Sequence, residues 1–253
     1  MNRSERDYIS QYWVGLMDGD GSVQVNHWRK KSLQYRLVIN LKSDPGGLNL
    51  FLLERVRECV GGSVTIDTKG GRIVWVENHR KRVLEILKLF NDHPPVTRRV
   101  CFQWHFLREC MKRQSVEWYL LNRSKKYAPE EYTVEWEPPT TLAGRGTWLS
   151  GFIEAEGCFT LRGASSKVKS FSIFQKGERD LLRAISAYFG GEERSRLVLN
   201  KKQRKTQNHP PEGGYALEVY NPSVLERIVA HCTLFPLYGE KKNSLEIFSK
   251  SLQ

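Results

Sequence analysis

The sequence holds no apolar run approaching the roughly 20 residues that cross a bilayer, so no helical membrane span is expected. Its opening, MNRSERDY, carries neither the apolar stretch of a secretory signal nor an acid-free, Arg- and Ser-rich leader. Import is therefore not expected, and a role in an organelle would imply synthesis there. Cysteine is scarce: Cys59, Cys101, Cys110, Cys158 and Cys232 are odd in number and lack paired spacing. That excludes a disulfide framework and points to a reducing compartment. Cys101, His105 and Cys110 are the nearest approach to a zinc set, but no CxxC or finger spacing accompanies them, so buried thiols are expected instead. The six histidines share no spacing and are assigned no chemistry. Acid is in deficit, 28 Asp and Glu against 40 Lys and Arg, for a net charge of +12. An excess of that size suits a surface that neutralises phosphates.

What the chain does contain is an internal repeat. WVGLMDGDGSVQV at 13 to 25 matches WLSGFIEAEGCFTL at 148 to 161 in order and chemistry. Gly15 meets Gly151, Asp18 meets Glu154, Asp20 meets Glu156 and Gly21 meets Gly157, all at one offset. Each copy is followed by two alternating segments, a helix-like run ending in Gly-Gly, two more alternating segments and a second helix-like run. That run leads to a proline and a basic pair, HPPVTRRV at 93 to 100 and LFPLYGEKKN at 234 to 243. Pairing Pro94 with Pro236 sets Arg99 opposite Lys241. The expected fold is α+β, two pseudo-symmetric αββαββα halves at 1–115 and 143–253. Three prolines and mixed charge mark 116–142 as the linker.

Alternation divides each strand into an apolar and a polar face. Ser22, Gln24, Asn26 and Trp28 oppose Val23 and Val25, while Gln34, Arg36, Asn40 and Lys42 oppose Leu33, Leu37, Ile39 and Leu41. Thr65, Asp67 and Arg72 continue the polar face in the first half. Thr160, Arg162, Ser170, Ser172, Arg194, Arg196 and Asn200 form it in the second. A sheet with one solvated face is ordinary, but these positions are rich in Arg, Gln, Asn and Thr, which reach base edges and phosphates. A twisted β-ribbon fits the major groove.

Both motif copies read as helix ends, with Gly15 and Gly19, and Gly151 and Ala155, at i, i+4 on one face. If the two helices pack about a pseudo-twofold axis, Asp20 and Glu156 arrive side by side at negative helix ends, each disfavoured there by about 0.3–1 kcal/mol. A divalent cation relieves both penalties. The two carboxylates and the carbonyls of Gly19 and Ala155 offer hard oxygen ligands suited to Mg²⁺. A calcium loop beginning with Asp18, Asp20 and Ser22 fails, because Val23 stands where Gly is needed and Arg29 where Glu is needed.

WVGLMDGDG and WLSGFIEAEG resemble the two motifs of single-chain LAGLIDADG homing endonucleases, and the order of segments extends the likeness over nearly the whole chain. The resemblance implies motif helices at the interface of the halves, sheets forming a saddle over duplex DNA, and a monomer. It maps the metal ligands onto Asp20 and Glu156 and leaves Asp18 and Glu154 structural. It also implies cleavage of both strands of a long, non-palindromic site with Mg²⁺ or Mn²⁺, while Ca²⁺ binds without supporting cleavage. Arg99 and Lys241 match the family's basic residues, Arg99 being a departure from lysine. Gln175 resembles a residue that orients water, a role its counterpart Leu41 cannot fill. A mobile intron in a mitochondrial genome is the implied setting. A maturase that binds its host-intron RNA, and a DNA-binding regulator that does not cut, are the alternatives; no membrane partner is expected.

Overall fold

In the computed structural model, residues 3–127, 137–162, 168–191, 195–200 and 214–252 are described. The chain divides into two units, 1–137 and 138–253.

The first unit begins with helix α1 (Arg3–Gly19), whose Ile9, Tyr12, Trp13 and Leu16 recur at helical spacing and are wholly buried. Trp13 meets Trp75 edge-on at 5.8 Å and stacks on Phe90 at 5.4 Å. The chain then turns straight into strand β1 (Gly21–Trp28). A side chain at Gly21 is impossible without backbone movement, since its Cβ would stand 2.4 Å from Met17 Cα. Strand β2 (Ser32–Lys42), helix α2 (Leu48–Val60), and strands β3 (Ser63–Asp67) and β4 (Arg72–Glu77) complete an antiparallel sheet of order β1-β2-β4-β3. Short helices α3 (Arg80–Ile86) and α4 (Leu89–Asp92) precede α5 (Arg98–Arg113), capped by Thr97 Oγ accepting from Val100 N.

The second unit repeats this plan: helix α6 (Val116–Asn122) belongs to the first, and the count resumes with α7 (Gly146–Glu156), β5 (Gly157–Arg162) and β6 (Val168–Lys176). Helix α8 (Arg179–Tyr188), strands β7 (Ser195–Asn200) and β8 (Gly214–Val219), and helices α9 (Pro222–Leu234) and α10 (Lys241–Leu252) follow. Its sheet order is β5-β6-β8-β7. A Cβ on Gly157 would lie 2.6 Å from the Ile153 carbonyl, so the motif's final glycine serves the same sharp turn in both units.

Each unit follows the α+β plan expected from the sequence, and the basic pair after the proline opens a further helix, α5 or α10, beyond it. One expectation needs correction: the first part of 116–142 is not irregular. Residues 116–122 form α6, followed by a 3₁₀ turn at 123–125, and both aromatic packing and hydrogen bonds tie the segment to the first unit. Trp118 stacks on Phe106 at 5.8 Å, Tyr119 Oη donates to Val25 O at 3.0 Å, and Gln103 Nε2 donates to Tyr127 Oη at 2.9 Å. Residues 128–136 lie outside the described part.

The strand faces follow the alternation with a few exceptions. Ile66, on the parity of the apolar face, is 54% exposed near the end of the edge strand, while Val38 and Ser170, on the outward parity, are buried. Among the described residues, no helix is long and apolar enough to cross a membrane.

Candidate active site and nucleic-acid face

The two acids of each motif diverge completely. Asp18 is fully buried and accepts from Val96 N at 2.8 Å, Thr97 N at 3.0 Å and Thr97 Oγ at 2.6 Å. Glu154, also buried, accepts from Gly239 N at 2.9 Å and Lys241 N at 2.9 Å. Each carboxylate thus ties the motif helix to the N-terminus of the last helix of its own repeat, where unpaired N–H groups and the helix dipole favour negative charge. The remaining acids, Asp20 and Glu156, stand at the C-terminal ends of α1 and α7; Asp20 is exposed and Glu156 half-buried. Asp20 N donates to Leu16 O at 2.9 Å, which fixes the acid to the last turn.

Arg99 does more than the sequence suggested. Its Nη1 donates to Gly21 O at 2.5 Å, and its Nη2 donates to Gly19 O at 2.7 Å, Asp18 O at 2.9 Å and Met17 O at 3.3 Å. The guanidinium therefore closes the end of α1, satisfying carbonyls that the helix leaves unpaired and opposing its negative pole. A lone cation free to face a phosphate is not what this arrangement provides. Gly19 O, expected among the metal ligands, already accepts from Arg99, whereas Ala155 is half-buried at the end of α7. Thr97 N and Gly239 N both donate to the buried acid of their own motif, the offset that sets Arg99 opposite Lys241. Helices α5 and α10 begin at Arg98 and Lys241. Arg98 lies over the Phe102 ring at 5.1 Å. Lys241 is half-exposed at the first position of its helix.

Gln175 is half-buried on the parity of Phe171 and Ile173, opposite Tyr215, and Leu41 is buried. Among the described residues, no group of three or more His, Cys, Asp and Glu side chains could hold a metal. Cys101 and Cys110 are buried apart from such a group, and burial pushes the Cys110 thiol up to about 12. His105 is lowered by burial and then by Arg108.

On the polar faces, Gln34, Asn40, Lys42, Asn26, Thr65 and Arg72 are exposed, and Ser22, Gln24 and Arg36 are half-buried. Trp28 is 54% exposed, with the Arg29 guanidinium over its ring at 5.1 Å. Arg162 and Arg196 are exposed, Thr160 and Ser172 half-buried. Two candidates fall away. Ser170 is buried, and Asp67 Oδ1 accepts from Gly70 N at 3.0 Å, closing the β3–β4 turn rather than facing outward as a free acceptor. Arg194 and the side chain of Asn200 lie outside the described part. Alternation also missed residues that share the outward parity: Val38, Val74, Val76 and Ser63 in the first sheet, Phe174, Ala216, Val198 and Glu218 in the second. Parity applied without regard to polarity would have found all of them.

One buried network has a measurable consequence. Ser150 Oγ donates to Phe235 O at 2.7 Å, so His231 Nε2, 3.2 Å away, donates to Ser150 Oγ, and His231 Nδ1 accepts from Tyr188 Oη at 3.2 Å. The ring is satisfied in its neutral form, and burial lowers it from 6.5 to about 4. An unfolded chain takes up a proton below pH 6.5 that the folded unit refuses until about pH 4. The contribution is therefore full above 6.5 and declines toward 4, by up to about 3 kcal/mol. Denaturant midpoints at pH 7 and 4.5 should diverge more in wild type than in His231→Gln. Equal divergence would show that His231 does not drive it.

The LAGLIDADG endonuclease family profile matches residues 13–110 and 149–252. The chain is similar to the "Probable intron-encoded endonuclease aI3" of Dictyostelium discoideum, at 36% identity over 98% of this chain and 99% of that protein. It is 34% identical to the Debaryomyces hansenii protein of the same name over 97% of this chain, spanning 38% of that longer protein. Among solved structures, the I-LtrWI LAGLIDADG homing endonuclease bound to target DNA matches with a TM-score of 0.74 at 17% identity, over 98% of this chain and 90% of that one. The meganuclease I-SmaMI bound to uncleaveable DNA matches with a TM-score of 0.70 at 16% identity, over 95% and 89%. At those identities the structural likeness establishes the fold.

Proposed function

The chain belongs to the LAGLIDADG endonuclease family, and on that premise we propose that it is a site-specific homing endonuclease making double-strand breaks in DNA. The observation that carries the reading is the division of labour within each motif. One acid is buried as a tether and the other stands at the end of the helix, in both units, where the carboxylate and the negative pole of the helix together favour a cation. The carboxylates and last-turn carbonyls offer hard oxygen donors, which fit a divalent ion such as Mg²⁺ or Mn²⁺. Asp20 in the first unit and Glu156 in the second would each serve as a ligand, with Ala155 O a better supplementary donor in its unit than Gly19 O, which accepts from Arg99, in the other. When bound, such an ion supplies Lewis-acid polarisation of a phosphate and a more acidic water.

The chain's own residues do the rest. Gln175 orients water through its amide, and Lys241 offsets charge that develops on the phosphate. Arg99 acts through Asp20, holding the last turn of α1 so that the carboxylate keeps its position. The sheets carry the duplex: Arg36, Lys42, Arg72 and Arg162 neutralise phosphates, and other polar side chains on the same faces read base edges. The family resemblance supports a monomer that cuts a long, asymmetric target and a mitochondrial intron as its setting.

Two measurements test this reading. Cleavage of a randomised duplex library in Mg²⁺ should yield one specific site and should cease in EDTA. Binding should weaken steeply with salt, each neutralised phosphate adding about −0.9 to the slope of log K against log salt. A flat response, or a preference for structured RNA over duplex DNA, would overturn the proposal.

A further inference from the structure

The register of each sheet allows the outward faces of the two units to be compared row by row. Gly21 pairs with Ile39 and Gly157 with Ile173, so Asn40 and Phe174 are equivalent, each one step beyond the motif glycine's partner and level with Asp20 or Glu156. In the first unit that row continues from Asn40 to Val74 and Thr65. In the second it runs from Phe174 to Ala216 and Val198, with no polar side chain. The adjacent row differs in charge. It reads Ser22, Val38, Val76 and Ser63 in the first unit, without a charged side chain, but Cys158, Ser172, Glu218 and Arg196 in the second.

Phe174 is 40% exposed on this face. Its ring lies across Gly214, where a Cβ would come within 2.3 Å of the ring, so the glycine seats one side and leaves the other open. Asn40, its equivalent, is exposed. In the adjacent row, Tyr220 Oη donates to Glu218 Oε2 at 3.3 Å and steadies that acceptor.

We propose that these two rows read the halves of the target differently, with Asn40 and Phe174 as the specificity-determining pair. Asn40 presents an acceptor and a donor that match adenine N6 and N7 in the major groove, so the first half-site carries adenine at its row. Phe174 offers only an apolar surface, which matches the thymine methyl, so the second half-site carries thymine at the equivalent row. In the adjacent row the half-exposed Val76 favours thymine in the first half-site, while Arg196 and Glu218 favour a G·C pair in the second. The inference rests on the endonuclease reading, and the occupant of both faces is duplex DNA, to which the cationic side chains around the rows are complementary.

The test is the base-preference profile of wild type, Asn40→Phe and Phe174→Asn, read from a partly randomised target library by binding in Ca²⁺ and by cleavage in Mg²⁺. Asn40→Phe should weaken the adenine preference at one position of one half-site by on the order of tenfold and favour thymine there. Phe174→Asn should make the opposite change, at one position of the other half-site. Profiles identical to wild type in both variants, or changes scattered over both half-sites, would overturn the row assignment while leaving the endonuclease reading intact. A wild-type protein that selects no duplex site would overturn both.

Discussion

Asp20→Asn and Glu156→Gln each reduce strand cleavage by about a thousandfold or more, while binding to the target duplex in Ca²⁺ changes by no more than a fewfold. Charge stabilisation by a bound metal is worth several kcal/mol in the transition state, and each tenfold in rate corresponds to about 1.4 kcal/mol. Both substitutions keep the side chain's shape and remove its charge, so the loss falls on metal affinity. The fold should not suffer. Asp20 is exposed and Glu156 half-buried at their helix ends, outside the packed core. The apo variants are accordingly expected to stay within about 1 kcal/mol of wild type in stability. Supercoiled-plasmid cleavage with separate quantification of nicked and linear product, beside a gel shift, checks both halves of the prediction. Retained cutting by both variants would remove these acids from the mechanism.

The other acid of each motif should behave in the opposite way. Asp18→Ala is expected to destabilise the first unit by about 3–5 kcal/mol, because it removes a buried charge and leaves three donors without their acceptor. Asp18→Asn should recover only part of that loss, since an amide turned toward Val96 N and Thr97 N sets a donor against a donor. Glu154→Gln, which disturbs two backbone donors, should cost less than Asp18→Ala. Denaturant midpoints measure these changes, with limited proteolysis showing which unit opens. Asp18→Ala within about 1 kcal/mol of wild type would mean that the tether contributes little.

The contrast between the two acids was only half legible in the sequence. Recurrence singled out Asp20 and Glu156 because the repeat kept an acid at both places in both halves. The burial of Asp18 could not be read from its neighbours, since its donors arise 78 and 79 residues later in the chain. Arg99 illustrates the same limit more sharply. The family resemblance implied a cation offsetting charge on the phosphate, yet the carbonyls it holds belong to the far end of α1 and the start of β1. The role of a long side chain depends on what lies within its reach, and that is a tertiary property. Helices α5 and α10 were overlooked although Val100, Gln103, Leu107 and Cys110 are buried at helical spacing. A polar Gln at an inward position and a basic pair at the start obscured the pattern. The strand faces, by contrast, were read almost completely, because a period of two is a local property of the backbone. Choosing only polar residues on the outward parity concealed the apolar row that separates the two units in chemistry.

The most direct test of the account is diffraction from a complex of the chain with its selected duplex in Mn²⁺, with anomalous scattering used to locate the ion. The account predicts anomalous density at the carboxylates of both Asp20 and Glu156, lost from the corresponding position in Asp20→Asn. Density held by other residues, or unchanged in that variant, would contradict it.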